Sequence, residues 1–172
     1  EAASQTTGEV LCFWDVDILI EGGFIEKAQN DILAGHVDHV YPFTGLFVDV
    51  EKKAFDKIFP GFDFEFLKNT LKSNEISWSD PENYMIVASN ISPGGCNLIS
   101  RKAFEKIKGY DERFIGWGFE DTDYKERSQR VNRIGFVSDP KAVCWHLHHD
   151  NTKRVENPHY NDNMRIFNEN SR

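Results

Sequence analysis

The chain has 172 residues, of which 40% are hydrophobic and 28% are charged, and its formal net charge at pH 7 is −8. This composition is typical of one globular domain with a core of its own. The negative charge argues against a surface for nucleic acid or for an anionic membrane, and no hydrophobic run approaches the length of a membrane-spanning helix. An anionic substrate would therefore need a cation at its binding site.

The first predicted strand is the apolar run Val10–Trp14, and the carboxylates of Asp15 and Asp17 follow it directly. Residues two apart on a strand share a face, so both carboxylates are expected to point the same way. They stand at the carboxyl end of the strand, which is where open α/β sheets bind their ligands. A pair of aspartates at this spacing is common by chance and is a weak signal by itself.

A helix and a second strand are predicted next. The helix begins at Gly22 and Gly23, runs for about 11 residues and ends at Gly35. A strand is predicted over residues 37–41, where Pro42 ends it. The apolar residues of the helix recur at helical spacing and form one inner face: Phe24, Ile25, Ala28 and Ile32.

Residues 44–82 are dense in phenylalanine and show only short helical patterns. Their apolar spacing predicts one helical turn around residues 54–58 and another around residues 62–67. We interpret the phenylalanines as a small satellite core, in preference to an aromatic ligand site. The apolar run at residues 84–88 predicts a strand that leads into the next motif.

Residues 93–123 hold the densest set of chemically informative residues in the chain. The glycine pair Gly94 and Gly95 opens this stretch, and a short predicted helix follows. Ser100 is the expected N-cap of that helix, because its hydroxyl can accept from an otherwise unpaired amide. Gly109 is expected to end the helix, since a left-handed residue is wanted there.

The turn Gly116-Trp117-Gly118 lies between this helix and a second predicted helix. Two glycines let the backbone bend and leave the indole ring unshielded. Glu120 and Asp121 come at the head of the second helix, where negative charge suits the helix dipole. Each feature also has an ordinary structural explanation, because acidic residues cap helices and such a turn can bury its ring.

The end of the chain combines two short predicted strands, a cluster of histidines and a polar tail. The strands cover residues 134–137 and 142–145. Three histidines follow the second strand: His146, His148 and His149. The tail from residue 151 has four asparagines among its last twelve residues, and we expect a surface segment or a partly mobile arm there.

Three polar clusters need one explanation: the aspartate pair, the acidic helix start and the histidines. Carboxylates and imidazoles are ligands that suit Mn²⁺ or Mg²⁺. Together the three clusters predict a metal site beside a carboxylate base. The metal would balance the charge of an anionic substrate, which so acidic a chain could not otherwise tolerate.

The three motifs, in this order, resemble the GT-A glycosyltransferases, and most closely the C-terminal part of the β-1,4-galactosyltransferase and chondroitin-polymerase type. The strand-terminal DxD of those enzymes is matched here by FWDVD. Their GG…F…GF…WGGEDxD segment is matched by PGGCNLISRKAFEKIKGYDERFIGWGFEDTD, and their metal-binding histidine region by HLHHD with a later NP. The resemblance spans about residues 8–158 and implies an α/β GT-A fold, with a mixed sheet flanked by helices.

The resemblance implies a metal site. Asp17 would bind the metal directly, and Asp15 would contact the ribose of the donor or the metal through water. His148 would be the late metal ligand, because its distance to the Asn-Pro pair fits the galactosyltransferase pattern, and His146 is the alternative. The implied metal is Mn²⁺, with Mg²⁺ as the second candidate.

The resemblance also implies the reaction, an inverting in-line transfer of a hexose or N-acetylhexosamine from a UDP-sugar to a glycan acceptor. Asp121 would be the base that removes the proton from the acceptor hydroxyl. Glu120 would hold the acceptor sugar, and Trp117 would stack on a sugar face. The other implied substrate contacts are Gly94 and Gly95, which let the backbone approach the donor sugar closely, together with Gly118 and Asn97.

Two features depart from the family pattern. Phe119 stands where the second glycine of WGGED is usual, so galactose specificity is not carried over. Those enzymes also place a long run of nucleotide-binding units before the DxD, whereas 14 residues precede Asp15 here. We therefore expect residues 1–150 to be the C-terminal portion of a GT-A catalytic domain, without most of its N-terminal nucleotide-binding half, and residues 151–172 to be a polar tail.

Two other functions fit parts of the sequence. A metal-dependent phosphoester hydrolase would use Asp15, Asp17 and the histidines, but it leaves the glycine pair and the tryptophan turn unexplained. A non-catalytic carbohydrate-binding fragment would stack sugars on Trp78, Trp117 and Trp145.

The three cysteines, Cys12, Cys96 and Cys144, are widely spaced and show no pairing pattern. A lumenal enzyme of the Golgi type would usually carry paired cysteines. The sequence therefore favours a cytoplasmic enzyme of polysaccharide biosynthesis, with any membrane association made through segments outside this chain. The sequence leaves the oligomeric state open.

Overall fold

A computed structural model describes residues 2–52, 55–56, 61, 63–73, 85–89, 93–149 and 157–172 of the chain. The strands are β1 (Val10–Trp14), β2 (Ile18–Leu19), β3 (His39–Tyr41), β4 (Phe47–Val50), β5 (Met85–Ser89), β6 (Cys96–Ser100), β7 (Ile134–Phe136) and β8 (Cys144–His146). The helices are α1 (Gly22–Leu33), α2 (Phe64–Ser73), α3 (Arg101–Lys106), α4 (Glu120–Gln129) and α5 (Tyr160–Asn170). Within the described ranges, no helix combines the length and the apolarity needed to span a bilayer.

The strands form two four-stranded mixed sheets. In the first, ordered β1-β6-β3-β7, β6 is antiparallel to β1 and to β3, and β3 is parallel to β7. In the second, ordered β2-β8-β4-β5, β4 is parallel to β8 and antiparallel to β5, and β2 is antiparallel to β8. With helices flanking these sheets, the predicted α/β class is confirmed.

Helix α1 packs on the first sheet through the inner face that the sequence predicts. Its Ala28 and Ile32 are buried, and Phe24 and Ile25 are partly buried against the same core. Gly35 follows the helix with a φ of 71°, the left-handed conformation expected of a glycine that ends a helix. The core beneath α1 includes residues of β3 and β6 and of the segment that leads into β8: Val40, Tyr41, Cys96, Leu98 and Ala142.

A second core lies on the other sheet, and two phenylalanines of the segment predicted to form a satellite core pack against it, whereas Phe47 of that segment belongs to the first core. Phe55 and Phe66 are partly buried against it. The helical turn predicted around residues 54–58 lies mostly outside the described residues, whereas helix α2 begins within the predicted turn at 62–67. The buried members of this core are Val48, Val50, Leu67, Val143, Trp145 and Leu147.

Helix α5 is the main departure from the predicted fold. The sequence predicts a polar surface segment or partly mobile arm from residue 151, whereas residues 160–170 form a helix that packs against α4. The buried side of α5 includes a polar residue, Asn163, beside the apolar Ile166. Hydrophobic periodicity is the main sequence signal for a helix, and it is weak when asparagine replaces an aliphatic residue. The proposed boundary between a catalytic portion and a tail stays a prediction.

Candidate active site

A pocket of about 430 Å³ opens between the DxD turn, the glycine pair and the head of α4. This volume is in the range of small-molecule sites in proteins. Phe47, Phe119 and Tyr160 form part of its wall. The sequence predicted eleven residues as catalytic, metal-binding or substrate-binding, and eight of them line this pocket: Asp15, Gly94, Gly95, Trp117, Gly118, Glu120, Asp121 and His146.

The DxD motif forms a tight turn between β1 and β2 instead of the last residues of a strand. The amide of Asp15 donates to the carbonyl of Gly95 over 2.9 Å, and the amide of Ile18 donates to the carbonyl of Asp15 over 3.1 Å. Asp15 lines the pocket, whereas Asp17 contacts the histidines beside it. The two carboxylates therefore serve adjoining parts of the site.

The glycine pair forms the pocket wall next to Asp15. Gly95 has a φ of 90°, a conformation that favours glycine. A Cβ atom at this position would lie 3.0 Å from Cε2 of Phe47 and 3.2 Å from Sγ of Cys144. The packing beneath the turn thus requires glycine at position 95, and the close approach of a donor sugar to this backbone stays a prediction.

A cluster of one carboxylate and two imidazoles lies at the edge of the pocket. Oδ2 of Asp17 is 3.0 Å from Nε2 of His149 and 3.4 Å from Nε2 of His146. The two Nε2 atoms are 3.1 Å apart, and all three ligand atoms lie within 4.8 Å of one another. Among the described residues, these three form a group that can hold a metal ion.

Asp49 orients one of these imidazoles. Its Oδ1 lies 2.6 Å from Nδ1 of the buried His146. When Nδ1–H donates to this carboxylate, the lone pair of Nε2 is directed toward Asp17 and His149. Carboxylate partners of this kind fix the tautomer and the ring orientation of metal-binding histidines, so the cluster suits a divalent cation.

His148, the histidine favoured by the sequence as the metal ligand, lies outside this cluster and is exposed. Strand β8 ends at His146, and the amide of Leu147 donates to the carbonyl of Asp17 over 2.8 Å. Residues 147–149 continue as irregular backbone, and residue 149 faces Asp17, where a continued strand would have brought residue 148. The structure therefore favours His146, the stated alternative, together with His149.

Asp121 stands in the first turn of α4 and reaches the pocket between Asp15 and Trp117. Burial of its carboxyl raises the pKa of Asp121 to about 7, and the neighbouring carboxylates of Glu120 and Asp15 add to this shift. A carboxyl with such a pKa is both ionised to a useful extent and basic near neutral pH. Perturbed carboxyl groups of this kind cluster at functional sites.

Glu120 lines the pocket and also holds the loop that precedes it. Its Oε2 accepts a hydrogen bond from the amide of Gly118 over 2.6 Å. This bond ties the backbone of the loop at Gly118 to the first residue of α4. The side chain predicted to hold the acceptor sugar is therefore itself held in place by the loop.

The loop before α4 has a strongly bent backbone. Gly116, Gly118 and Phe119 have positive φ angles of 68°, 123° and 71°. A left-handed conformation is uncommon for phenylalanine, and the ring of Phe119 packs against Phe167 at 5.4 Å and Tyr160 at 5.2 Å between ring centroids. These contacts with α5 explain how phenylalanine is accommodated where the family pattern has glycine.

Side chains near and within α5 hold the same loop from outside. Asn163 is buried, its Oδ1 accepts from the amide of Ile115 over 3.1 Å, and its Nδ2 donates to the carbonyl of Ile115, also over 3.1 Å. Nδ2 of Asn157 donates to the carbonyl of Trp117 over 2.6 Å. The sequence did not predict these contacts, although the number of asparagines in the tail was a visible signal.

Two residues singled out in the sequence lie away from the pocket surface. Asn97 is buried, and its Nδ2 donates to Oη of Tyr110 over 3.3 Å. The structure thus favours a supporting position for Asn97 over the predicted contact with substrate. Trp145 is 2% exposed and cannot act as a sugar platform, and Trp78 lies outside the described residues.

Residues 82–150 match the family model described as the N-terminal domain of galactosyltransferase. No curated protein matches the chain. The matched segment contains the glycine pair, the Trp-Gly-Phe-Glu-Asp loop and the histidines, and the DxD turn lies before it. The resemblance predicted from the sequence is confirmed over this segment, which is similar to the galactosyltransferase family model.

Proposed function

We propose that this chain carries the site of an inverting, metal-dependent glycosyltransferase that moves a hexose or N-acetylhexosamine from a UDP-sugar to a glycan acceptor. One observation carries this proposal. One pocket is lined by Asp121, Asp15, the glycine pair and Trp117. His146 belongs both to the wall of that pocket and to the Asp–His cluster. A base, a sugar platform and a cation site are thus adjacent, as sugar transfer from a nucleotide donor requires.

Asp121 is the proposed catalytic base. The oxygen of the acceptor hydroxyl forms a bond to the anomeric carbon while the bond from that carbon to the diphosphate oxygen breaks. The hydroxyl proton moves to the carboxylate of Asp121, and UDP leaves with the electron pair of the broken bond. The pKa of Asp121, raised to about 7, supports this assignment because the carboxylate is basic enough to take the proton during attack.

The proposed cation ligands are Asp17, His146 and His149, in place of the His148 favoured by the sequence. Their ligand atoms lie within 4.8 Å of one another, and Asp49 can fix the tautomer of His146. Mg²⁺ is a hard cation that takes oxygen ligands, so a site with two imidazoles favours Mn²⁺ over Mg²⁺. The cation, when bound, would neutralise the diphosphate charge that the acidic chain would otherwise repel.

Trp117 is the proposed acceptor platform, together with Tyr160. The indole is 46% exposed, and its ring lies 6.1 Å from the ring of Tyr160 with 21° between the planes. Aromatic faces of this kind offer large apolar area with a polar edge, which suits a sugar ring. Glu120 lies beside them in the pocket and offers a carboxylate acceptor to sugar hydroxyls.

Calorimetric titration of UDP into the chain, with and without Mn²⁺, tests this proposal. We expect binding that requires Mn²⁺ and is lost in Asp17→Ala. Glu26→Ala, which removes an exposed carboxylate from α1, is the matched control and should bind UDP as the unmodified chain does. Equal binding without Mn²⁺, unchanged binding in Asp17→Ala, or no binding under either condition would contradict the proposal for this chain.

A further inference from the structure

Four large hydrophobic side chains form an exposed surface beside the pocket, which we call the apolar ledge. They are Ile115, Trp117, Tyr160 and Met164, with exposed fractions of 54%, 46%, 41% and 41%. The described residues include eight exposed large hydrophobic side chains, and half of them lie here. Single exposed hydrophobic residues are ordinary, whereas a contiguous group marks a binding surface.

The ledge is continuous with the pocket, and hydrogen bonds and a ring contact join its residues to the pocket wall. Trp117 and Tyr160 line the pocket and pack on each other. Met164 lies one helical turn beyond Tyr160 on α5, on the same side of the helix. Ile115 is tied to α5 by two hydrogen bonds between its backbone and the side chain of Asn163. A molecule whose sugar rests on Trp117 therefore has the ledge directly beside it.

The side chains at the outer end of the ledge determine which kind of ligand group can bind there. Ile115 has no hydrogen-bonding group in its side chain, and Met164 offers a weak thioether acceptor. They cannot pair with the hydroxyl groups of a second sugar, whose burial without partners would cost free energy. They can cover alkyl or aromatic carbon, because burying such surface is favourable in proportion to its area.

We propose that the apolar ledge binds an apolar aglycone, an alkyl or aromatic group attached to the acceptor sugar. This inference rests on the proposed function and names the class of acceptor for the same site. The sugar of such an acceptor occupies the pocket at Trp117, and its aglycone runs over Tyr160 toward Met164 and Ile115. Met164 and Ile115 are then specificity-determining residues.

Two other occupants fit the ledge less well. Stable protein interfaces use about 20–30 residues on each side, whereas the ledge has four. An anionic membrane would be repelled by a chain whose formal net charge is −8. A small apolar group linked to a sugar matches both the size of the ledge and its position beside the pocket.

The test compares two probes that differ in the aglycone alone, methyl and octyl β-N-acetylglucosaminide, the latter below its micelle concentration. Their dissociation constants are measured by calorimetry with UDP and Mn²⁺ present. We expect the octyl glycoside to bind roughly tenfold more tightly, because several methylene groups leave water. This preference should fall to less than about threefold in Met164→Ser and in Ile115→Ser, since each removes apolar area from an exposed position.

Leu33→Ser is the matched control, because Leu33 is 52% exposed at the end of α1, away from the ledge. It should keep the full octyl preference. Equal affinity for the two glycosides, no binding of either, or a preference that persists in both ledge variants would overturn the inference. The inference would also be overturned if the octyl preference were absent and the chain bound neutral phosphatidylcholine vesicles through the ledge. In that case both ledge variants would lose the binding to vesicles.

The titration with UDP and Mn²⁺ separates this inference from the proposed function. A chain that binds UDP with Mn²⁺ but shows no octyl preference keeps the proposed function and loses the ledge. A chain that shows the octyl preference, loses it in the ledge variants and fails to bind UDP keeps a glycoside site but loses the proposed transferase.

Discussion

The two halves of the site are held together in different ways. The cation half joins Asp17 in the turn before β2, His146 at the end of β8 and His149 just after it, and β2 and β8 pair in one sheet. The sugar half is the loop at residues 115–121, whose backbone is held by Asn157 and by side chains of α5. Backbone pairing thus positions the first half, and long-range side-chain bonds position the second.

This difference predicts that the two halves fail separately. Damage to the support of the histidines should weaken cation binding and leave the loop intact. Damage to α5 should loosen the loop and leave the cation half intact. Substitutions without shared partners usually have independent effects, and the hydrogen bonds of Asp49 to His146 and of Asn163 to Ile115 share no residue.

Among the variants that test this comparison of the two halves, Asp49→Ala is expected to have the largest effect. Its carboxylate lies 2.6 Å from Nδ1 of His146, and removal frees both the tautomer and the ring orientation. Loss of such a partner typically lowers metal affinity by about 10–100-fold, and we expect this change in the dissociation constant for Mn²⁺ measured by calorimetry. Asp56→Ala, which removes an exposed carboxylate paired with Lys52, is the control. Unchanged Mn²⁺ affinity in Asp49→Ala would remove the supporting role of Asp49.

Asn163→Ala should damage the sugar half. It leaves the amide of Ile115 without its partner in a partly buried place, while the carbonyl of Ile115 keeps a hydrogen bond from Asn157. The loss of a partner for one such amide costs about 1–3 kcal/mol. We expect the free energy of unfolding in urea to fall by this amount while UDP affinity with Mn²⁺ stays within twofold. Asn168→Ala, at an exposed position of α5, should change neither quantity. If the binding free energy of UDP in Asn163→Ala fell by as much as the free energy of unfolding, the two halves would be coupled.

The pH dependence of transfer probes the sugar half through Asp121. Its pKa is raised to about 7, so the base form is lost as the pH falls, and kcat/KM should decline below pH 7. Glu120 is one of the groups that raise this pKa. Glu120→Gln removes that negative charge and should move the acid limb to lower pH. A limb that stays in place or moves to higher pH would contradict this account.

Phe119→Gly is expected to have the smallest effect, because two contributions oppose each other. Glycine relieves a left-handed backbone, a strain of about 1–2 kcal/mol, but it also removes the ring contacts with Tyr160 and Phe167. The net change in unfolding free energy should lie within about 1 kcal/mol. Lys108→Gly is the matched control, since Lys108 is exposed and also left-handed at a φ of 62°. Lys108→Gly should raise the free energy of unfolding. A larger rise in Phe119→Gly would show that the ring contacts of Phe119 do not stabilise the chain.

Local patterns in the sequence predicted much of the fold. Ser100 caps α3, with its Oγ accepting from the amide of Ala103 over 3.2 Å. Gly109 is left-handed with a φ of 68°, and the strand predicted at residues 84–88 is β5, shifted by one residue. These features depend on residues close in sequence, and capping and strand signals report such features directly.

The remaining features depend on contacts between distant parts of the chain. Asp49 and His146 are 97 residues apart, and no local pattern around Asp49 indicates their pairing. The choice of His149 over His148 follows from the irregular backbone after β8, which the strand pattern does not reveal. Asn163 is buried because it pairs with a backbone 48 residues away, so its polarity in the sequence indicates a surface position instead.

The central claim is that Asp121 is the catalytic base, and Asp121→Asn tests it most directly. The amide keeps the shape of the side chain but cannot take the proton, so transfer from a panel of UDP-hexoses and UDP-N-acetylhexosamines should fall by about 10²–10⁴-fold. UDP affinity with Mn²⁺ should stay within twofold, because the proposed cation ligands are other residues. Transfer at the unmodified rate by Asp121→Asn would contradict the account.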